Sequence, residues 1–288
     1  MMEIIHVLSS QNALGEGPLW SAEEKALYWV DIYRKTISRY WPASGKQETF
    51  SVDANVGVIA FRKGGGFITA GSNGFSFWQP DKTRLDSISD PEQNNPASRF
   101  NDGKVDRAGR FWAGTMTHEG EVSSLYRVDD SLEIQRMESG ITISNGIGWS
   151  PDNQIMYYSD SLHYVIYAYD FDLETGNIKN RRDWVKISPE YGIPDGLTVD
   201  SEGYVWCAFY SGSKVTRFNP QGKIENEISL PVSQPTSCAF GGEDLADLYI
   251  TSAWLDLTEE ERMQQPLAGD LFMVKTNTTG IAEPKFSG

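Results

Sequence analysis

The chain has 288 residues, 39% hydrophobic and 12% aromatic, enough to bury a large core and unlike disordered or collagen-like sequences. Its formal net charge of −15 argues against a nucleic-acid partner, which would need clustered Lys and Arg, and is compatible with cation binding. Two cysteines, Cys207 and Cys238, are too few for a disulfide framework and lack metal-ligand spacing, so both are expected to be reduced thiols near strands.

The opening residues, MMEIIHVLSSQNALGEG, have no basic n-region and no long apolar run, and no stretch of about 18 apolar residues follows. A cytoplasmic protein without a membrane span is expected. Six segments then repeat one plan: EGPLWSAEEKALYWVDI, VGVIAFRKGGGFITAG, DGKVDRAGRFWAGTM, NGIGWSPDNQIMYYSDS, DGLTVDSEGYVWCAFY and TSCAFGGEDLADLYITSA. In each, a Gly or Ser anchor leads a short alternating run, a polar turn such as DRAG, SPDN or DSEG, and a second run ending in aromatics. The anchors Gly17, Gly57, Gly103, Gly146, Gly196 and Ser237 are separated by 40, 46, 43, 50 and 41 residues.

A second strand pair follows most hairpins, for instance SLYRVD with EIQRME, VIYAYDFD with DWVKIS, and KVTRFN with ENEISL. Four strands per unit at this period predict an all-β, six-bladed propeller with four-stranded antiparallel blades around a central channel, as one domain over residues 1–288. Ring closure predicts that EIIHVL forms the outer strand of the blade holding GDLFMVKT, which removes two open edges. Only LTEEERMQQ, Leu257 to Gln265, reads as a helix. Trp20, Trp29, Trp112, Trp149 and Trp206 read as packing between blades.

The first strand of a propeller blade runs beside the channel, so the residues just before the anchors converge. These are Glu16, Val56, Asp102, Asn145, Asp195 and Thr236; five can offer oxygen, three as carboxylates. Carboxylates brought together raise one another's pKa unless a cation or proton intervenes, and Glu, Asn and Asp oxygens suit Ca²⁺, Mg²⁺ or Mn²⁺. Zinc would lack nitrogen and sulfur ligands here, because His6, His118 and His163 are scattered. The same Asp-Gly and Asn-Gly pairs also read as strand-entry turns whose acids cap backbone amides, and spacing alone does not choose. Signatures of serine hydrolases, P-loops, zincins and EF-hands are absent from the sequence.

Taken in order over almost the whole chain, GEGPLW with LYWVDI, NNPASRFNDGKVDRAGRFWAGTM, SNGIGWSPD, IPDGLTVDSEG and SCAFGG with LYITSA resemble the SMP-30/gluconolactonase/luciferin-regenerating enzyme family. The resemblance implies a propeller with one divalent metal ion in its channel and a lactonase that opens a gluconolactone-type aldonolactone to its aldonic acid. It puts the metal ligands on Glu16, Asn145 and Asp195. It puts substrate contacts on Arg99 and Asn101 of RFNDGK and on Glu119, with Glu121 as a rival because spacing after GTM varies. Asp102 is expected beside the ion rather than on it, and His118 as an ordinary loop residue. One departure is the acid loop, THEGEVSS, which is short for the family and bears on mouth width or sugar preference.

In the implied reaction Asp195 is the general base that directs water, while Arg99, Asn101 and Glu119 orient sugar hydroxyls. The metal stays open among Ca, Mg, Mn and Zn, and the sugar among gluconate, arabinonate, xylonate and rhamnonate lactones. Two alternatives stand beside this one: a calcium-dependent phosphotriesterase of the diisopropylfluorophosphatase-like propellers, and a non-catalytic calcium-binding or scaffold propeller. A small-molecule partner, no nucleic acid, no membrane and a monomer complete the expectation.

Overall fold

Short alternating runs broken by Gly, Asn and Asp turns satisfy their backbone groups only by pairing, and here they pair in fours. The structure is a computed structural model that describes residues 3–117 and 123–288. Six four-stranded antiparallel sheets form a ring, the six-bladed β-propeller predicted from the repeat. Their innermost strands are Gly15–Ser21, Val56–Phe61, Ser98–Val105, Ser144–Trp149, Ile193–Val199 and Pro235–Gly241, numbered below as blades one to six. Each inner strand pairs on one side only, which leaves its other edge to the channel. That free edge tolerates Pro18, Pro194 and Pro235, whose missing N–H is not required there.

Burial falls outward across a blade. In blade one Ala26–Asp31 is buried throughout, whereas the outer strand Lys46–Ser51 is mostly exposed. Aromatic side chains fill the wedges between blades: Trp112 meets Trp149 and Phe171 at ring separations of 6.0 and 6.1 Å, and Trp29, Trp112 and Trp206 are at most 1% exposed. The five tryptophans assigned to packing do pack, since Trp20 and Trp149 are also buried.

The ring closes as expected. Ile4–Leu8 pairs antiparallel with Leu271–Lys275 as the outer strand of blade six, and His6 Nε2 meets Asp270 Oδ2 at 2.8 Å. The helix is shorter than its sequence pattern, Glu259–Gln264, and starts with a capping box between Thr258 and Glu261. Cys207 and Cys238 are free and buried, and the Cys207 thiol is pushed up first by burial and then by Cys238. Among the described residues no helix is long and apolar enough to cross a membrane.

One element had no sequence signal. After Leu271–Lys275 the chain straps across the lower face, where the inner strands end. Bridges form between Asp200 and Gly280 and between Arg62 and Phe286, with Phe286 fully buried. Lys104 Nζ and Glu283 Oε1, both mostly buried, meet at 3.0 Å under the channel.

Candidate metal centre

The slots before the anchors lie on β-bulges. In every blade the ladder between first and second strands shifts at that point: between Glu16 and Leu19, Val56 and Val58, Phe100 and Gly103, Ser144 and Ile147, Pro194 and Leu197, and Pro235 and Ser237. One extra residue there breaks the pairing and re-aims side chains, a device that recurs beside active sites. This corrects the strand-entry turn: Asp195 and Gly196 lie inside Ile193–Val199, at its bulge, and not in front of it. Gly196 is needed for closeness, because a Cβ there would lie 2.1 Å from Ser237 Oγ of the next blade.

Glu16, Asn101, Asn145 and Asp195 are all buried. Asn145 Nδ2 donates to Ser161 Oγ at 3.0 Å, and Ser161 Oγ donates to the carbonyl of Pro194 at 2.8 Å, locking blades four and five together at the slot. That hydrogen bond fixes the amide's direction and leaves Asn145 Oδ1 without a partner. Asp195 Oδ1 is likewise buried without a partner. Two orphaned oxygens at one place are rare in a protein interior and costly unless something else binds them.

The charges point the same way. Burial, then Asp102, pushes the Glu16 carboxyl up to about 8, against the Gly17 N–H and Arg99. Burial, then Glu16 and Asp102, raises Asp195 well above the usual carboxylate range. Asp102 is pushed up to about 6 by burial, opposed by the Gly103 N–H and Lys104. Three buried carboxyl groups whose ionisation is held back around an orphaned amide oxygen fit a hard divalent cation held by oxygen. Among the described residues no three His, Cys, Asp or Glu side chains form a ligand group by themselves.

Of the other slots, Val56 is apolar and Thr236 is already engaged. Thr236 Oγ1 hydrogen-bonds to the Gly15 carbonyl and to Thr251 Oγ1, stitching blade six to blade one. Asp102 lines a cavity of about 40 Å³ below the cluster, together with Lys104, Ser237 and Glu283.

Arg99 and Asn101 are brought together above it. Arg99 Nη1 donates to Asn101 Oδ1 at 2.7 Å and to Phe100 O at 3.0 Å, while Asn101 Nδ2 donates to Ser144 O at 2.9 Å. Burial pulls the Arg99 guanidinium down, against Tyr33, Glu16 and Asp195. Its Nε–H is buried without a partner. Glu119, its rival Glu121 and His118 lie outside the described residues. His6 and His163 are held by Asp270 and Asp160 on blades six and four, far from forming one ligand set.

Known proteins supply the family. Residues 14–254 match the family model described as the SMP-30/Gluconolactonase/LRE-like region. The chain is 37% identical to regucalcin of Xenopus laevis over 98% of this chain and 97% of that one. It is 38% identical to a 6-deoxy-6-sulfogluconolactonase of Pseudomonas putida, covering 98% of each. Among solved structures it resembles luciferin-regenerating enzyme with a TM-score of 0.92, 30% identity and full coverage of both chains. With shared length and a family model spanning blade one to blade six, the chain belongs to the SMP-30/gluconolactonase/LRE-like family.

Proposed function

We propose that the protein is a divalent-metal-dependent lactonase that hydrolyses a sugar lactone of gluconolactone type to its aldonic acid. The observation that carries this is the pair of buried, unpartnered oxygens, Asn145 Oδ1 and Asp195 Oδ1, beside Glu16 and Asp102. The sulfogluconolactonase relative supports the substrate class. Glu16, Asn145 and Asp195 would hold the ion, which when bound supplies Lewis-acid polarisation of the ester carbonyl.

The chain's own groups supply the rest. Asp195 accepts the proton of the attacking water at its carboxylate. Asn101, fixed by Ser144 O, holds Arg99, whose unpartnered Nε–H would orient a ring hydroxyl. The proton taken by Asp195 returns to the ring oxygen as the acyl C–O bond breaks, giving the hydroxyl of the opened chain, and the product acid then ionises to solvent. A polar mouth, with Arg99 in the field of Glu16 and Asp195, speaks against a plain scaffold, whose channel would be plugged by apolar groups.

The test is glucono-1,5-lactone opening above its spontaneous rate, before and after verified metal removal. Loss on chelation and recovery with added Ca²⁺, Mg²⁺, Mn²⁺ or Zn²⁺ supports the reading and ranks the ions. Undiminished activity without metal overturns the metal role, and phosphotriester turnover without lactone turnover overturns the substrate class.

A further inference from the structure

The fourth repeat segment ends on Ser161, which is 2% exposed in the turn after the second strand of blade four, Ile155–Asp160. Its backbone does what the same position does in other blades. Ser161 N donates to Ile143 O at 3.1 Å, as Ile32 N donates to Leu14 O at 3.1 Å in blade one and Ala253 N to Gln234 O at 3.0 Å in blade six. In all three the preceding residue pairs with the one just before the slot: Asp160 with Ser144, Asp31 with Gly15, Ser252 with Pro235. The side chains differ. Ile32 and Ala253 are fully buried and apolar, so the fold fills this position without a hydroxyl in blades one and six.

In blade four the hydroxyl is aimed by a turn that is itself held. Asp160 accepts from Thr142 N at 3.0 Å and meets His163 Nδ1 at 2.8 Å, and Tyr164 N donates to Ser161 O at 3.1 Å. A serine hydroxyl has one hydrogen, and a backbone carbonyl only accepts. Ser161 Oγ gives its hydrogen to Pro194 O at 2.8 Å, so toward Asn145 it can only accept, and only the amide nitrogen can face it, at 3.0 Å. The amide oxygen is therefore the end left unpartnered. Pro194 directly precedes Asp195, which bears the other unpartnered oxygen, so one hydroxyl joins both candidate ligands.

We propose that Ser161 is a positioning residue of the metal centre: its hydroxyl keeps the amide oxygen of Asn145, rather than the nitrogen, free to ligate, and ties that amide to the backbone that carries Asp195. This rests on the metal-dependent reading. Without the hydroxyl nothing at Ser161 distinguishes the two ends of the amide, and a half-turn about its last bond would set N–H hydrogens against a cation.

The experiment is calorimetric titration of the chelator-stripped full chain with each of Ca²⁺, Mg²⁺, Mn²⁺ and Zn²⁺, for wild type, Ser161→Ala, Asn145→Asp and the double variant. Alanine already occupies the matching position at Ala253, and Ser161→Ala should weaken the tightest ion by about 10- to 100-fold. Asn145→Asp makes both ends of that side chain oxygen, which removes the choice that Ser161 makes. In that background Ser161→Ala should change affinity by no more than roughly 3-fold.

Wild-type affinity in Ser161→Ala overturns the positioning role. A loss that persists undiminished in the Asn145→Asp background overturns the orientation of the amide and leaves a general loosening of the seam between blades four and five. In both cases wild type still binds metal, so the metal-dependent reading survives. A wild type that binds none of the four ions overturns that reading and this inference with it.

Discussion

Asp195 and Asp200 lie at opposite ends of one strand and meet opposite fates. Asp200 is saturated: Oδ1 accepts from the backbone N–H groups of Glu202 and Tyr204 at 3.0 and 2.9 Å, and Oδ2 from Trp206 Nε1 at 3.0 Å and from Arg217 Nε and Nη2 at 3.0 and 2.7 Å. Asp106 does the same work in blade three, accepting from Ala108, Arg110 and Trp112. Asp195 has a buried oxygen with no partner. Both acids precede small polar turn-like residues in sequence, so local composition does not tell them apart. Satisfaction does: the acid at the lower end is part of the fold's own hydrogen bonding, and the acid at the upper end is kept for something that comes from outside.

Substitution should separate the two roles. Asp195→Asn, assayed at saturating metal, should lower kcat by about 10³-fold, the range expected for a lost general base, while leaving the metal-free fold as stable as before or more so. Urea denaturation of the chelated protein checks the second half, and a loss of stability there would erase the contrast. Asp200→Asn should do the reverse. Breaking a buried ion pair costs about 3–5 kcal/mol, seen as a lower denaturation midpoint, with kcat of the folded fraction unchanged.

A pH series sharpens the contrast further. Glu16 titrates near 4.5 in an unfolded chain and at about 8 in the folded one. Between those values the folded state binds more protons than the unfolded state, so stability of the metal-free protein should fall as pH rises through that window. Glu16→Gln should flatten the curve, and bound metal should oppose the fall. Denaturation midpoints at pH 5 and pH 8, with and without chelator, decide it. The smallest effect belongs to the floor of the channel: Glu283→Gln should cost about 1 kcal/mol of stability and leave KM for the lactone unchanged.

The repeat was legible because a hairpin must restate its turn chemistry in every blade, and so were Glu16, Asn145 and Asp195, which occupy one slot of that repeat. The bulge under them was not. One extra residue leaves the local alternation of Asp195-Gly196 looking like a turn, and only the partner strand reveals the shifted register. Thr236 looked like a ligand because its competing partner, the Gly15 carbonyl, is 221 residues away. The C-terminal strap has no periodicity to detect.

The way the ring closes has a consequence for how the protein is made. His6 and Asp270, 264 positions apart, meet only when the first strand joins the last blade. Such distant pairing makes folding slow relative to the local hairpins, which can form as the chain emerges from the ribosome. The channel's upper end needs Glu16 and Asp195 together, so it cannot exist until most of the polypeptide has been synthesised. Until the final hundred residues appear, the nascent chain carries an open row of blades whose terminal sheet edges offer a template to any neighbouring strand. Five residues, Ile4–Leu8, cover one of those edges by pairing with Leu271–Lys275.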